Sequence, residues 1–491
     1  QELRFTLRQR FEIQYELGAT PIEKLRIPTK SRDEMPPVLH ALQYIYTTPA
    51  LNERVFELLD AKVRRGKKQT GRPGMTLWEI LVLATIRLTR DADYDQLHYM
   101  ATSDILVRGL MGACKFGETG KEYSLQSIKD NIGLINEATL EQINDIVVEA
   151  GHQLIKKKDE KLNVSIDSYV LESNVHFPTD INLLYDAARK SLELAARFAA
   201  EAQLPGWRKY AYWKKQFKSD CRKVSKLLSA GGKNKSLNLQ KATKNYLRLA
   251  YDLNQKLDAA KSGFEASAKT CLKQALLLEE LNYFRACLDK QIDLVQRRIL
   301  DGEKIPHSEK VFSLFEPFTE WIVRGKAGRR QELGLKLTIA RDQFGFIVSH
   351  DIIQKLQDKD MAVPVAENLL KKYDICSMSF DKGYWSPDNC KTLCELVPEL
   401  VMPKKGRLNQ QEYEREHSKT FITLRRQHSV VESAINCLEH HGLNRCPDKG
   451  LPHFKKYAAL GILACNLHKL GNILQEKERK KSKNNKLRQA A

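Results

Sequence analysis

The chain has 491 residues, 42% hydrophobic and 29% charged, an ordinary balance for a globular protein with two to four structural units. Lys and Arg number 81 against 61 Asp and Glu, a formal net charge of +20; a one-sign excess of that size points to a polyanionic partner, nucleic acid ahead of a membrane. No apolar run approaches the roughly 18–20 residues that a membrane span needs, no secretory signal is expected at the start, and ten dispersed cysteines without a CxxC pair suit reduced thiols in a cytoplasmic protein better than a disulfide framework.

Residues 1–70 form an N-terminal segment that reads as helical, interrupted at Pro21, Pro28 and the Pro36-Pro37 pair. It ends in a basic Gly/Pro stretch, AKVRRGKKQTGRPGM, whose Arg64, Arg65, Lys67, Lys68 and Arg72 are expected to meet DNA phosphates. Over 71–160 the periodicity predicts only helices. Thr76 caps the first, TLWEILVLATIRLTR, and Ser124 and Thr139 start two later ones, giving a helix-turn-helix-like DNA-binding domain.

At Leu162 the period changes. LNVSIDSYV is a buried-strand pattern, followed by a turn at Pro178 and a helix with Asp180 near its start. Residues 183–300 show apolar spacings of three and four, broken at Gly231-Gly232, and read as an insertion of long antiparallel helices. Between Trp207 and Arg248 there are thirteen bases and one acid, Asp220. Arg208, Lys209, Lys214, Lys215, Lys218, Arg222 and Lys223 are expected to contact DNA, with Trp207, Tyr210, Tyr212, Trp213 and Phe217 interleaved among them. The plainer alternative, that these aromatics anchor a helical core, leaves the shortage of acids unexplained. After a polar connector at 301–311, ELGLKLTIARDQFGFIVSHDII reads as a hairpin turning at Asp342–Gly345. The helix PVAENLLKKY, the strand ICSMSFD, a helix from Pro387, the strand LVMPKK and a helix through RRQHSVVESAINCLEHHGL follow. Residues 471–491 form a basic tail expected to be disordered.

Three acids stand out. Asp167 and Asp381 each end an apolar strand pattern, and Glu432 lies on the last helix. An isolated buried charge is costly, so such acids are paired or put to use. Two strand-end carboxylates and a third on a helix can hold two Mg²⁺ or Mn²⁺ ions, ~3.5–4 Å apart, over a phosphodiester. The order strand, hairpin, helix, strand, helix, strand, helix is that of a ribonuclease-H-like α/β core, here residues 161–182 and 301–470. In it the first and fourth strands are parallel neighbours, which brings Asp167 beside Asp381, and the last helix carries Glu432 over them. Cys437, His440, His441 and Cys446 match no standard zinc spacing and read as core thiols and helix-end histidines.

Four stretches, SNVHFPTDINLLYDAAR, WIVRGKAGRRQELGLKLTIA, SFDKGYWSP and VVESAINCLEHHGLNRC, together with TGRPGMTLWEILVLATIRLTRDADYDQL, resemble bacterial insertion-sequence transposases of the DDE type, the ISNCY group in particular. The likeness covers most of residues 70–470. It implies that Asp167, Asp381 and Glu432 are the metal-binding catalytic triad. Tyr384, Trp385, Arg425, Arg426 and His428 are expected to contact DNA, without the family's roles being carried over to Arg425 and His428. Some relatives carry a Tyr, an Arg and a Lys seven before, four before and seven after the Glu. Here those positions hold Arg425, His428 and Glu439. The resemblance further implies nicking of transposon ends in double-stranded DNA, transfer of the 3′-hydroxyl to target DNA, a homodimer or larger assembly, and a cytoplasmic, nucleoid-associated location. The rival readings are a ribonuclease-H-like structure-selective nuclease and a DNA-binding protein derived from a transposase that has lost catalysis.

Overall fold

The structure, a computed structural model, describes residues 9–11, 20–63, 74–113, 121–323 and 331–490, with side chains to 485. Two helices come first, α1 (Met35–Thr47) and α2 (Pro49–Val63). Pro36 and Pro37 occupy the first turn of α1, where the missing N–H has no intrahelical partner to lose, so the proline pair starts a helix. The next five are α3 (Leu77–Thr89), α4 (Tyr94–Ser103), α5 (Ile105–Met111), α6 (Leu125–Ile132) and α7 (Glu137–Ile155). Thr76 caps α3 in a reciprocal capping box with Glu79, as its position suggests. Ser124 caps α6, but α7 is capped by Asn136, whose side chain accepts from the Thr139 N–H. Thr139 sits three residues into the helix it was expected to start.

Strand β1 (Leu162–Ser173) precedes four long helices, α8 (Asp180–Glu201), α9 (Tyr210–Ser229), α10 (Lys235–Ala268) and α11 (Leu272–Val295). The chain then runs through β2 (Glu320–Val323), β3 (Gln331–Asp342), β4 (Ile347–Ile353), α12 (Asp358–Lys372), β5 (Ile375–Phe380), α13 (Pro387–Leu396) and β6 (Glu399–Val401). It closes with α14 (Gln410–Glu416), α15 (Lys419–Gln427), α16 (Ser429–Leu438), β7 (Arg445–Cys446) and α17 (Leu451–Ala490).

The chain divides into two compact units, Gln1–Asn174 with Ile322–Ala491, and Val175–Trp321. The first is α/β and holds the mixed sheet, with strands in the order β2-β3-β1-β5-β6; β4 also pairs with β3 and β7 with β1. β1 runs antiparallel to β3, and β3 antiparallel to β4. β5 and β6 run parallel to β1 and to each other.

The helices before the sheet do not form a unit of their own. Asn466 of α17 donates to Asn144 Oδ1 of α7 at 2.8 Å and to the Ile347 carbonyl of β4 at 2.8 Å, and accepts the Ile347 N–H at 2.9 Å. Arg87 of α3 makes a bidentate pair with Asp448, at 2.7 and 3.0 Å. The division expected near residue 160 is therefore a packed interior. Two other expectations change. β1 does not stop at Asp167: its ladder with β3 continues to Glu172, and β7 takes the edge that β5 leaves. The basic tail is the continuation of α17, rich in good helix formers and carrying a Glu476–Lys480 pair at 2.6 Å.

The second unit buries Phe198, Trp207, Phe217, Tyr246 and Phe264 in a core between α8, α9, α10 and α11. Gly231 and Gly232 fall in the break between α9 and α10, as expected.

Candidate active site

The sheet register brings the first two acids together. Ile166 of β1 pairs with Phe380 of β5, and it is the last parallel pair between these strands. Asp167 and Asp381 are the next residues along, at the point where the two strands part. Asp381 is exposed and caps the short turn Lys382–Tyr384, accepting the Gly383 N–H at 3.3 Å. Asp167 is half-buried in the middle of β1, and its Oδ1 accepts the Ser168 N–H at 2.7 Å.

Helix α16 supplies the third acid. Val431, Ala434 and Leu438 form its buried stripe. Glu432, Ile435, Asn436 and Glu439, at spacings of three, four and seven, line the same cleft of about 620 Å³ as Asp167 and Asp381. Three residues spread over 265 positions of sequence thus meet at one opening.

The cleft is electrostatically loaded. Burial pushes the Asp167 carboxyl up to about 6, and the charges of Asp381, Glu432 and Asp358 add to the shift; the Ser168 N–H pulls the other way. Oxygen donors of this kind suit a hard divalent cation, and such an ion would offset the repulsion that adds to the effect of burial on Asp167. Among the described residues no three His, Cys, Asp or Glu side chains already surround a common point. The carboxylates share the cleft without converging.

Two further groups line the cleft without being singled out by the sequence. Asp358, at the start of α12, accepts from Ser168 Oγ and from Lys336 Nζ, both at 2.8 Å. It was hidden because Pro364 lies inside α12 and made the helix seem to begin six residues later. The surviving signal is an acid pair, Asp358 and Asp360, in the first turn of a helix. Lys336 is the one charge between Leu333 and Ala340 of β3 and could have been noticed for that reason.

The expected DNA contacts divide. Tyr384 is 1% exposed, packs on Phe380 and reaches Thr338 Oγ1 at 3.4 Å, so its side chain is part of the cleft floor and cannot lie against a duplex. Trp385 is half-buried, with Lys404 over its ring. Arg425 and Arg426 are exposed in the last turn of α15. His428 is held inward: its Nδ1 is 2.9 Å from Ser379 Oγ and its Nε2 is buried without a partner. Burial lowers its basicity, while Asp381 and Glu432 act against that.

In the helical unit Trp207 and Phe217 are core, and Tyr212 is 61% exposed. Lys214 is paired with Glu193 and Lys223 with Asp220, while Arg208, Lys209, Lys215, Lys218 and Arg222 are exposed. Arg64, Arg65, Lys67, Lys68 and Arg72 lie outside the described residues. Cys446 pairs in β7 opposite Ser173, and the groups that act on Cys437 are Cys465, His441 and His468.

Compared with known proteins, the chain matches no family model, no curated protein and no solved structure. Among the described residues no helix is long and apolar enough to cross a membrane.

Proposed function

We propose that the chain is a DNA transposase of the DDE type, built on a ribonuclease-H-like core, that cuts insertion-sequence ends and joins them to target DNA. The observation that carries this reading is the cleft into which β1, β5 and α16 bring Asp167, Asp381 and Glu432. The strand order β2-β3-β1-β5-β6, with β4 also paired to β3 and β3 antiparallel to both β1 and β4, supports the core assignment. The net charge of +20 and the exposed bases of α9 support a polyanionic substrate.

Asp167, Asp381 and Glu432 are the residues that would hold Mg²⁺ or Mn²⁺. Bound there, a divalent cation supplies activation of water or a 3′-hydroxyl and neutralises charge on the leaving oxygen. The remaining roles belong to the chain. Asp167 enters with one oxygen tied to the Ser168 N–H, which fixes the rotation of its carboxylate. Ser168 and Lys336 hold Asp358, with one hydrogen bond to each of its carboxylate oxygens. Arg425 and Arg426 lie within seven residues of Glu432 and serve as phosphate contacts.

The test uses labelled duplexes made from the inverted repeats that flank the gene. Wild type nicks the end and transfers its 3′-hydroxyl in Mg²⁺. Asp167→Asn, Asp381→Asn and Glu432→Gln each lose both steps by at least ~10³-fold while still binding the duplex. Nicking without joining identifies a nuclease. Near-normal nicking by any one variant removes that residue from the triad.

A further inference from the structure

The cleft that holds Asp167, Asp381 and Glu432 is also lined by Asp358 and Glu439, and among the described residues it sets one cation, Lys336, against these five carboxylates. A phosphodiester backbone brings a further negative charge with every nucleotide that enters. Two divalent ions offset four carboxylates and leave an acidic wall facing that backbone. A fixed positive group inside the cleft has more effect there than one on the rim, because the site is partly withdrawn from water.

The fold holds Lys336 firmly at its base and loosely at its tip. Its backbone stands opposite Val170 of β1 on one side and Ile353 of β4 on the other, so β3 is paired along both edges here. The side chain is 23% exposed, and Nζ donates to Asp358 Oδ2 at 2.8 Å. An ammonium has three N–H donors, and among the described residues the protein takes only this one. Asp358 does not depend on the lysine. It lies in the first turn of α12, where the helix N-terminus favours a negative charge, and Ser168 Oγ donates to its other oxygen at 2.8 Å. The ammonium can therefore turn away without leaving a buried acid unsatisfied. A Cβ on Gly383 would stand 3.4 Å from Asp358 Oδ2 and 3.6 Å from Asp381 Oδ2, so the oxygen that holds Lys336 looks onto the same glycine as the second acid of the triad.

We propose that Lys336 is a substrate-binding residue of this cleft: its ammonium donates to a non-bridging oxygen of a DNA phosphate, and Asp358 holds it in place until DNA arrives. This role rests on the cleft being a phosphodiester site, as proposed above. The lysine has two partners in succession. In the free protein it is bonded to Asp358; in the complex its N–H groups turn to phosphate oxygens in charge-assisted hydrogen bonds. The four-carbon stem allows that turn from a fixed strand. The alternative is an ion pair that only neutralises Asp358, and the two differ in what happens when both charges are removed together.

The experiment measures binding of a labelled inverted-repeat duplex over a salt series, with Ca²⁺ in place of Mg²⁺. The proteins are wild type, Lys336→Gln, Lys336→Arg, and Lys336→Gln combined with Asp358→Asn, each checked for folding by circular dichroism and urea midpoint. Lys336→Gln binds roughly 10-fold more weakly, and its plot of log affinity against log salt flattens by about 0.9, the share of one phosphate contact. Lys336→Arg keeps the wild-type slope. The double variant removes one charge of each sign and leaves a neutral hydrogen-bonding pair, so the net charge of the cleft is unchanged. It stays weaker than wild type and keeps the flattened slope. A double variant that regains wild-type affinity and slope overturns the proposal, since Lys336 would then serve only to offset Asp358. Where a variant does not fold, wild type decides by itself. Saturating duplex protects Lys336 from acetylation by an N-hydroxysuccinimide ester, read by peptide mass spectrometry, and equal labelling with and without DNA overturns the proposal too. Transposase activity is judged separately, by whether wild type nicks the duplex in Mg²⁺. A protein that binds and never nicks is no transposase, and Lys336 is then still judged on slope and protection.

Discussion

Asp167 holds its charge against its surroundings, and that has a measurable consequence for the metal-free protein. Its carboxyl is raised to about 6, by burial first and by its acidic neighbours second. Between the ordinary carboxylate value and 6, the folded state therefore binds more protons than the unfolded state. Stability falls as pH rises through that window, and the loss is complete above it. A shift of this size corresponds to at most about 3 kcal/mol. Asp167→Asn keeps an oxygen for the Ser168 N–H and removes the charge. In chelator, urea unfolding at pH 8 should find this variant more stable than wild type by ~1–3 kcal/mol, and at pH 4 the two should coincide. Adding Mg²⁺ at pH 8 should stabilise wild type and leave the variant unmoved. Equal stabilities at pH 8 would mean that Asp167 is better solvated than its position in β1 implies.

The elements that deliver the acids differ in how plainly the sequence announces them. Asp167 and Asp381 are visible because each breaks a run of apolar β-formers, and the side-chain pattern of a parallel, doubly covered strand is strong. The β3–β4 hairpin is visible from its turn residues. What the sequence does not carry is contact across elements. Ser168, Lys336 and Asp358 meet only because β1 pairs with β3 and α12 begins beside them. His428 is expected among the DNA contacts, yet Ser379 of β5 draws it inward. The extension of β1 past Asp167 has the same origin, since it depends on β3 following closely along one edge. Gly334 shows how closely. A methyl group there would stand 2.0 Å from the Leu171 carbonyl oxygen and 2.8 Å from the Glu172 Cα, and both are backbone that cannot move without breaking the ladder. Gly334→Ala should therefore cost at least ~2–4 kcal/mol, seen as a lower urea midpoint or as insoluble protein, far above the ~0.5 kcal/mol of a neutral surface change. A wild-type midpoint for this variant would show that β1 and β3 are not in this register.

At the scale of the molecule, the α/β unit and the helical unit have different surfaces to offer a nucleic acid. In the helical unit the structure narrows the thirteen bases between Trp207 and Arg248 to a smaller set. Lys214 and Lys223 are neutralised by Glu193 and Asp220, and Phe217, Cys221 and Val224 face the core. Lys215, Lys218, Arg222 and Lys226 recur at spacings of three, four and four along α9, all exposed, and pair with no carboxylate among the described residues. One helix face with four unpaired positive charges is the minimum for tracking a phosphate backbone, and exposed Tyr212 lies on the same helix. Replacing the four by Gln should weaken binding to end DNA and to random DNA alike, because phosphate contacts carry no sequence information. The plot of log affinity against log salt should flatten by roughly 0.9 for each phosphate that is no longer neutralised, so by about 3–4 in slope if all four side chains are engaged. The preference for the end over random DNA should survive. Lys214→Gln alone should change little, since its charge is already spent on Glu193. If the quadruple variant keeps the wild-type slope, the α9 face meets solvent or a second copy of the chain, and the positive excess acts on DNA from elsewhere.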